Sequence, residues 1–127
     1  MEKEEFVKNL GLLRGLSGKV FDIVPECDAH EFVMAIYLGK EGCEREKCEY
    51  LYGRLMMTDL SLLQNEDWRH VLRNEYEALL DDMYETAQEK FGKDLPGIVS
   101  QGEFEDTTDF DRMLEVVAEQ RLLLKEK

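Results

Sequence analysis

The sequence predicts an all-α protein, a compact bundle of four or five mainly antiparallel helices. Three observations predict it. The stretch from Asn65 to Phe91 carries apolar residues at helical spacing along nearly its whole length. The segments on either side repeat apolar residues three and four positions apart. Start and stop residues, such as Asp28, Asn65, Gly39 and Gly92, punctuate those segments where helices would begin and end.

The first helix is predicted over residues 2–24. Phe6, Leu10, Leu13, Val20 and Val24 form one seam, and Leu12, Leu16 and Ile23 form a second, roughly 100° away. A helix with two apolar faces needs cover on both. Gly11, Gly15 and Gly18 each weaken it by about 1 kcal/mol relative to alanine, and mark either a smooth groove for close approach of another backbone or a kink or break near 15–18. Pro25 ends it. The second helix is predicted over 28–39, opened by Asp28 with Glu31 as a variant capping box and nearly all apolar after Glu31. The third is predicted over 44–63, with Cys48, Leu51, Tyr52, Leu55 and Leu62 on one side and Asp59 in the same arc.

The fourth and longest helix is predicted over 65–91. Asn65 is a suitable N-cap, and Gly92 a suitable left-handed stop. Trp68, Leu72, Tyr76, Leu79, Met83 and Ala87 fall within one arc of about 100°, widened by Val71, Leu80 and Phe91. His70, Glu77, Asp81, Asp82, Glu85 and Gln88 should be wet. Glu75 interrupts the apolar arc and is expected to snorkel from its edge to water. Asp59 to Arg69 is the salt bridge expected between the third and fourth helices. Residues 92–108 form an irregular loop in which Ile98 and Val99 are expected to dip into the core. The last helix is predicted over 109–125, with Phe110, Met113, Leu114, Val117 and Leu124 as its stripe and Val116 and Leu123 on another side.

At 127 residues the chain suits a single domain, residues 1–127. No apolar run reaches the length of a membrane span, and the charged start lacks a signal-peptide core. Three cysteines, an odd number, fit reduced thiols in a cytoplasmic protein. The net charge of −13 argues against nucleic-acid binding, which needs basic patches.

Cys27, His30, Cys43 and Cys48 are zinc-type ligands at poor spacing; Cys27 and His30, at the start of the second helix, are the candidate metal pair. The same cysteine would be a candidate nucleophile beside a helix N-terminus, opposed by Glu26 and Asp28. Asp67-x-x-His70 occurs once, where a di-metal bundle needs two inward Glu-x-x-His motifs. The acidic run 103–111 fails the calcium-loop pattern, because counted from Asp106 the sixth position is Asp111 rather than glycine and the twelfth is Val117 rather than glutamate. Phosphate loops, nucleophile elbows and zinc-protease motifs do not occur.

These readings favour a non-enzymatic protein that acts through protein–protein contact, as a homodimer or with another protein. Leu12, Leu16, Ile23, Val116 and Leu123 are the expected interface. No cofactor is expected, zinc at Cys27 and His30 being the one candidate. Two other functions compete: a zinc protein or enzyme using that pair, and an acidic mimic that occupies the nucleic-acid site of a basic partner.

Overall fold

The computed structural model describes residues 1–21, 24–56, 64–105 and 107–125, with the side chains of 14–21, 24–31, 56 and 124 outside that description. Among the described residues the fold is mixed, with three α-helices and a four-stranded antiparallel sheet, and this overturns the all-α bundle. In order the chain runs α1 (Lys3–Lys8), β1 (Gly11–Phe21), β2 (Val24–Lys40), a 3-10 turn (Arg45–Lys47), β3 (Glu49–Met56), α2 (Trp68–Phe91), a 3-10 turn (Gly92–Gly97), β4 (Ile98–Ser100) and α3 (Phe110–Lys125).

Over its described residues the predicted helix 2–24 is therefore one short helix followed by a strand. Gly11 and Gly15 lie in that strand, where their cost to a helix is irrelevant. The predicted helix 28–39 is the second half of β2. Phe32, Met34, Ile36 and Leu38 alternate at period two and are all buried, yet Val33, Ala35 and Tyr37 between them are apolar too. A run apolar at every position carries no period that separates a buried strand from a buried helix. Of the predicted helix 44–63, the described part, 44–56, holds the first 3-10 turn and β3, and 57–63 lie outside the described residues. Leu51 and Leu55 fit a helical spacing, but they also stand two apart from Gly53 on one face of a strand. Asp59, with its proposed bridge to Arg69, lies outside the described residues.

β2 is the shared strand. Its Glu31–Leu38 segment pairs with β3, Phe32 opposite Leu55 and Ile36 opposite Leu51. Its other edge pairs with β1, Gly11 opposite Ala35 and Leu12 opposite Met34. β4 pairs with the end of β2, Leu38 opposite Ser100 and Lys40 opposite Ile98. Leu38 already faces Glu49 of β3, so β4 must lie on the β1 edge and extend it beyond Gly11. The β4–α3 connection crosses back over β1, where the Thr108 amide donates to the Leu12 carbonyl at 2.7 Å.

The register sorts the side chains. Leu12, Phe32, Met34, Ile36, Leu38, Leu51, Leu55 and Ile98 share one face and are buried there. α2 packs on β3, and α3 packs on β2. The core is completed by Trp68, Leu72, Leu80, Met83 and Ala87 of α2, by Met113, Val116 and Val117 of α3, and by Phe6 of α1. α2 obeys the sequence reading closely. Its wet residues are exposed, Glu75 is exposed at the rim, and Gly92 ends it at φ +51°. It starts at Trp68 rather than Asn65, whose side-chain oxygen instead accepts from the Asp67 amide at 2.8 Å. No helix among the described residues is long and apolar enough to cross a membrane.

Gly53 lets α2 approach the sheet. A Cβ there would stand 2.6 Å from Leu79 Cδ1. Gly53→Ala should cost about 1–3 kcal/mol, as overpacking does, and much less in a Leu79→Ala background; urea unfolding of the four proteins in that cycle measures the coupling. Trp68 is 4% exposed, so Trp68→Ala should cost about 3–5 kcal/mol in the same assay.

Candidate functional site

The second face of the sheet carries a row of aromatic rings. Tyr37, Tyr50 and Tyr52 stand on it by register, since Tyr37 is opposite Tyr50 and Ala35 opposite Tyr52. Tyr37 and Tyr50 have ring centroids 4.9 Å apart, and Tyr50 and Tyr52 stack at 5.5 Å. Phe104, from the β4–α3 connection, stacks on Tyr37 at 5.1 Å. It reaches the sheet over Gly11, where a Cβ would collide with its ring. Any side chain at residue 11 would lift Phe104 off the row.

Arg45 closes one end. Its guanidinium lies 4.5 Å from the Tyr37 ring centroid and donates to the Tyr37 hydroxyl at 3.2 Å and to the Glu103 carbonyl at 3.3 Å. The other end is open, with Tyr50 41% exposed and Tyr52 56% exposed. Stacked phenols with apolar bodies and polar tips, left accessible on a sheet, are the kind of surface that enriches protein interfaces.

β3 also forms an edge. Among the described residues it pairs with β2 alone. The opposite edge strand, β1, carries two register irregularities between Leu16 and Phe21. β3 has no lysine, no proline and no irregularity in its pairing. Beside it runs a cleft of about 270 Å³ whose wall is Arg54, Leu55, Glu75, Ala78, Leu79 and Asp82.

A second cleft, of about 320 Å³, lies between the start of α2 and the end of α3. Arg69 stands 4.4 Å from the Trp68 ring centroid and Arg121 5.6 Å. Arg121 also donates to the Asn65 carbonyl at 2.7 Å, so it ties the start of α2 to α3.

The residues singled out from the sequence are scattered. Leu12 is 7% exposed and Val116 0%, both within the subunit's own core, and Leu123 is half-buried. Leu16 stands on β1 opposite His30, with its side chain outside the described residues, and Ile23 lies wholly outside them. Cys27 and His30 sit on β2, so the helix start expected to group them, and its dipole expected to activate Cys27, are absent there; their side chains are outside the described residues. Among the described residues no three His, Cys, Asp or Glu side chains converge as a metal group. The helical reading of 44–63 puts Tyr50 and Tyr52 on different sides of a helix and hides the row that the strand makes. The alternation of Tyr50, Tyr52 and Arg54 with Leu51, Gly53 and Leu55 was the available signal.

Burial first, then the neighbouring phenols Tyr37 and Tyr52, push the Tyr50 hydroxyl above its ordinary value of 10.0. Burial does the same at Tyr76. A phenol whose folded value is raised favours the fold while it stays neutral. That contribution is complete below pH 10 and is lost as pH rises through the raised value. The urea midpoint should therefore fall above pH 10, and Tyr50→Phe should make that fall shallower. Comparison with family models, with curated proteins and with solved structures found no match to this chain.

Proposed function

We propose that the chain is a non-enzymatic protein that works through protein–protein contact, with the β3 edge and its tyrosine row as the contact surface and a second copy of the chain as the occupant. The observation that carries this reading is the contrast between the two edge strands of the sheet, β1 irregular in its register and β3 regular, aromatic and, among the described residues, paired on one side alone.

A two-fold axis through Gly53 preserves the faces, because antiparallel neighbours keep directly opposed residues on one side. In that register Leu51 of one copy meets Leu55 of the other on the helix-covered face. On the open face Tyr52 meets Arg54, an aromatic–cation pair. The seam itself is electrically balanced, since Glu49 and Arg54 are the charged residues of β3. A chain of net charge −13 repels its copies elsewhere, so a balanced strand is the part of the surface best suited to self-contact.

Native mass spectrometry of the untagged protein should show a dimer. Tyr52→Lys should give a monomer with unchanged circular dichroism, and Tyr52→Phe should remain dimeric. A monomeric wild-type protein at micromolar concentration, or a dimer that survives Tyr52→Lys, would reject the seam.

A further inference from the structure

We propose that Cys43 and Cys48 form a reversible intramolecular disulfide that stitches the β2–β3 connection shut, with a low-molecular-weight disulfide such as oxidised glutathione as the oxidant. This pair is separate from the β3 seam and does not depend on it.

The connection is built to bring the two sulfurs together. The Cys43 amide donates to the Lys40 carbonyl at 2.9 Å, which turns the chain out of β2. The 3-10 turn that follows, closed by the Lys47 amide on the Glu44 carbonyl at 2.9 Å and the Cys48 amide on the Arg45 carbonyl at 3.1 Å, turns it back. Both thiols then donate to one acceptor, the Glu44 carbonyl oxygen, Cys43 at 3.5 Å and Cys48 at 3.2 Å. They also lie over one spot on the sheet. A Cβ at Gly39 would stand 3.2 Å from the Cys43 sulfur and 2.9 Å from the Cys48 sulfur, so glycine leaves the room the pair occupies.

Thiol donors bond a carbonyl weakly, and rotation about each Cα–Cβ bond exchanges those bonds for a sulfur–sulfur bond. Both cysteines are free and half-buried, within reach of a small oxidant. Burial first, then the Cys43 thiol, push the Cys48 thiol above its ordinary value of 9.0, so Cys48 rests protonated at neutral pH.

The chemistry balances as thiol–disulfide exchange. One cysteine thiolate attacks a sulfur of the oxidant and displaces a thiolate, which takes a proton. The second cysteine thiolate attacks the mixed disulfide and displaces the other half, which takes the second proton. Two S–H bonds are lost from the chain, one S–S bond forms, and the oxidant becomes two thiols. The closed ring contains Arg45, whose guanidinium holds Tyr37 and the Glu103 carbonyl. Oxidation would therefore fix the clamp at the closed end of the tyrosine row.

The test treats folded, full-length protein with oxidised glutathione, blocks remaining thiols by alkylation, and reads intact mass and proteolytic peptides. The expected product has lost two hydrogen atoms and yields a peptide cross-linked through Cys43 and Cys48. Cys27→Ser should give the same product. Cys43→Ser and Cys48→Ser should each lose the cross-link and retain a glutathione adduct on the remaining partner. Yield should drop several-fold in denaturing urea, because the fold rather than sequence proximity presents the pair. A disulfide through Cys27, stable adducts on unlinked Cys43 or Cys48 in the wild type, no reaction, or a yield unchanged by urea would each overturn the proposal.

Discussion

The rest of the molecule depends on the need to pair β2 along both of its edges. Phe32, Met34 and Leu38 are wholly buried and Ile36 nearly so, which takes the backbone between them away from water. Buried amides and carbonyls must then find partners, and only neighbouring strands supply them in register. β3 satisfies one edge. β1 satisfies part of the other, and β4 finishes it where β1 has not yet begun. The short strand Ile98–Ser100 is thus fixed by what β2 lacks, and it draws the chain from α2 across the sheet to α3.

The two faces of that sheet are solved differently. One is covered by α2 and α3, and side chains at Leu51, Leu55 and Ile98 disappear into a continuous apolar layer. The other has no helix on it among the described residues and is dressed by aromatic rings with a guanidinium at one end. Two glycines mark the closest approaches. Gly53 admits Leu79 of α2 on the covered face, and Gly11 admits Phe104 on the open one. In both places a methyl group would collide with a side chain that holds two elements together.

The helical part of the fold was legible. α2 and α3 stand alone on the outer layer, half wet and half dry, so their sequences carry a clear 3.6-residue period. Trp68, Leu72, Met83 and Ala87 are buried as the period requires, and Glu75 reaches water from its edge. The strands were not legible as strands. β2 is apolar on both sides over Phe32–Leu38, which erases the two-residue period. In β3, Gly53 interrupts the buried face and leaves Leu51 and Leu55 at a spacing that also suits a helix. The candidate surface suffered the same way. Tyr37, Tyr50 and Phe104 lie far apart in the chain and meet only because the strands pair, whereas Leu12 and Val116, chosen as interface, are needed inside.

By itself the sequence determined the two long helices, the glycine at which α2 stops, the side of α2 that meets the core, and the acidic balance of the chain. Those features follow from local spacing and charge, which every short window of the chain contains. Tertiary structure alone decided that β1, β2 and β3 form a sheet, which of its edges stays unpaired among the described residues, and which rings share its outer face. A strand has no hydrogen bonds within itself, so its identity rests on partners distant in sequence. A glycine-bearing apolar segment can go either way until those partners are in place.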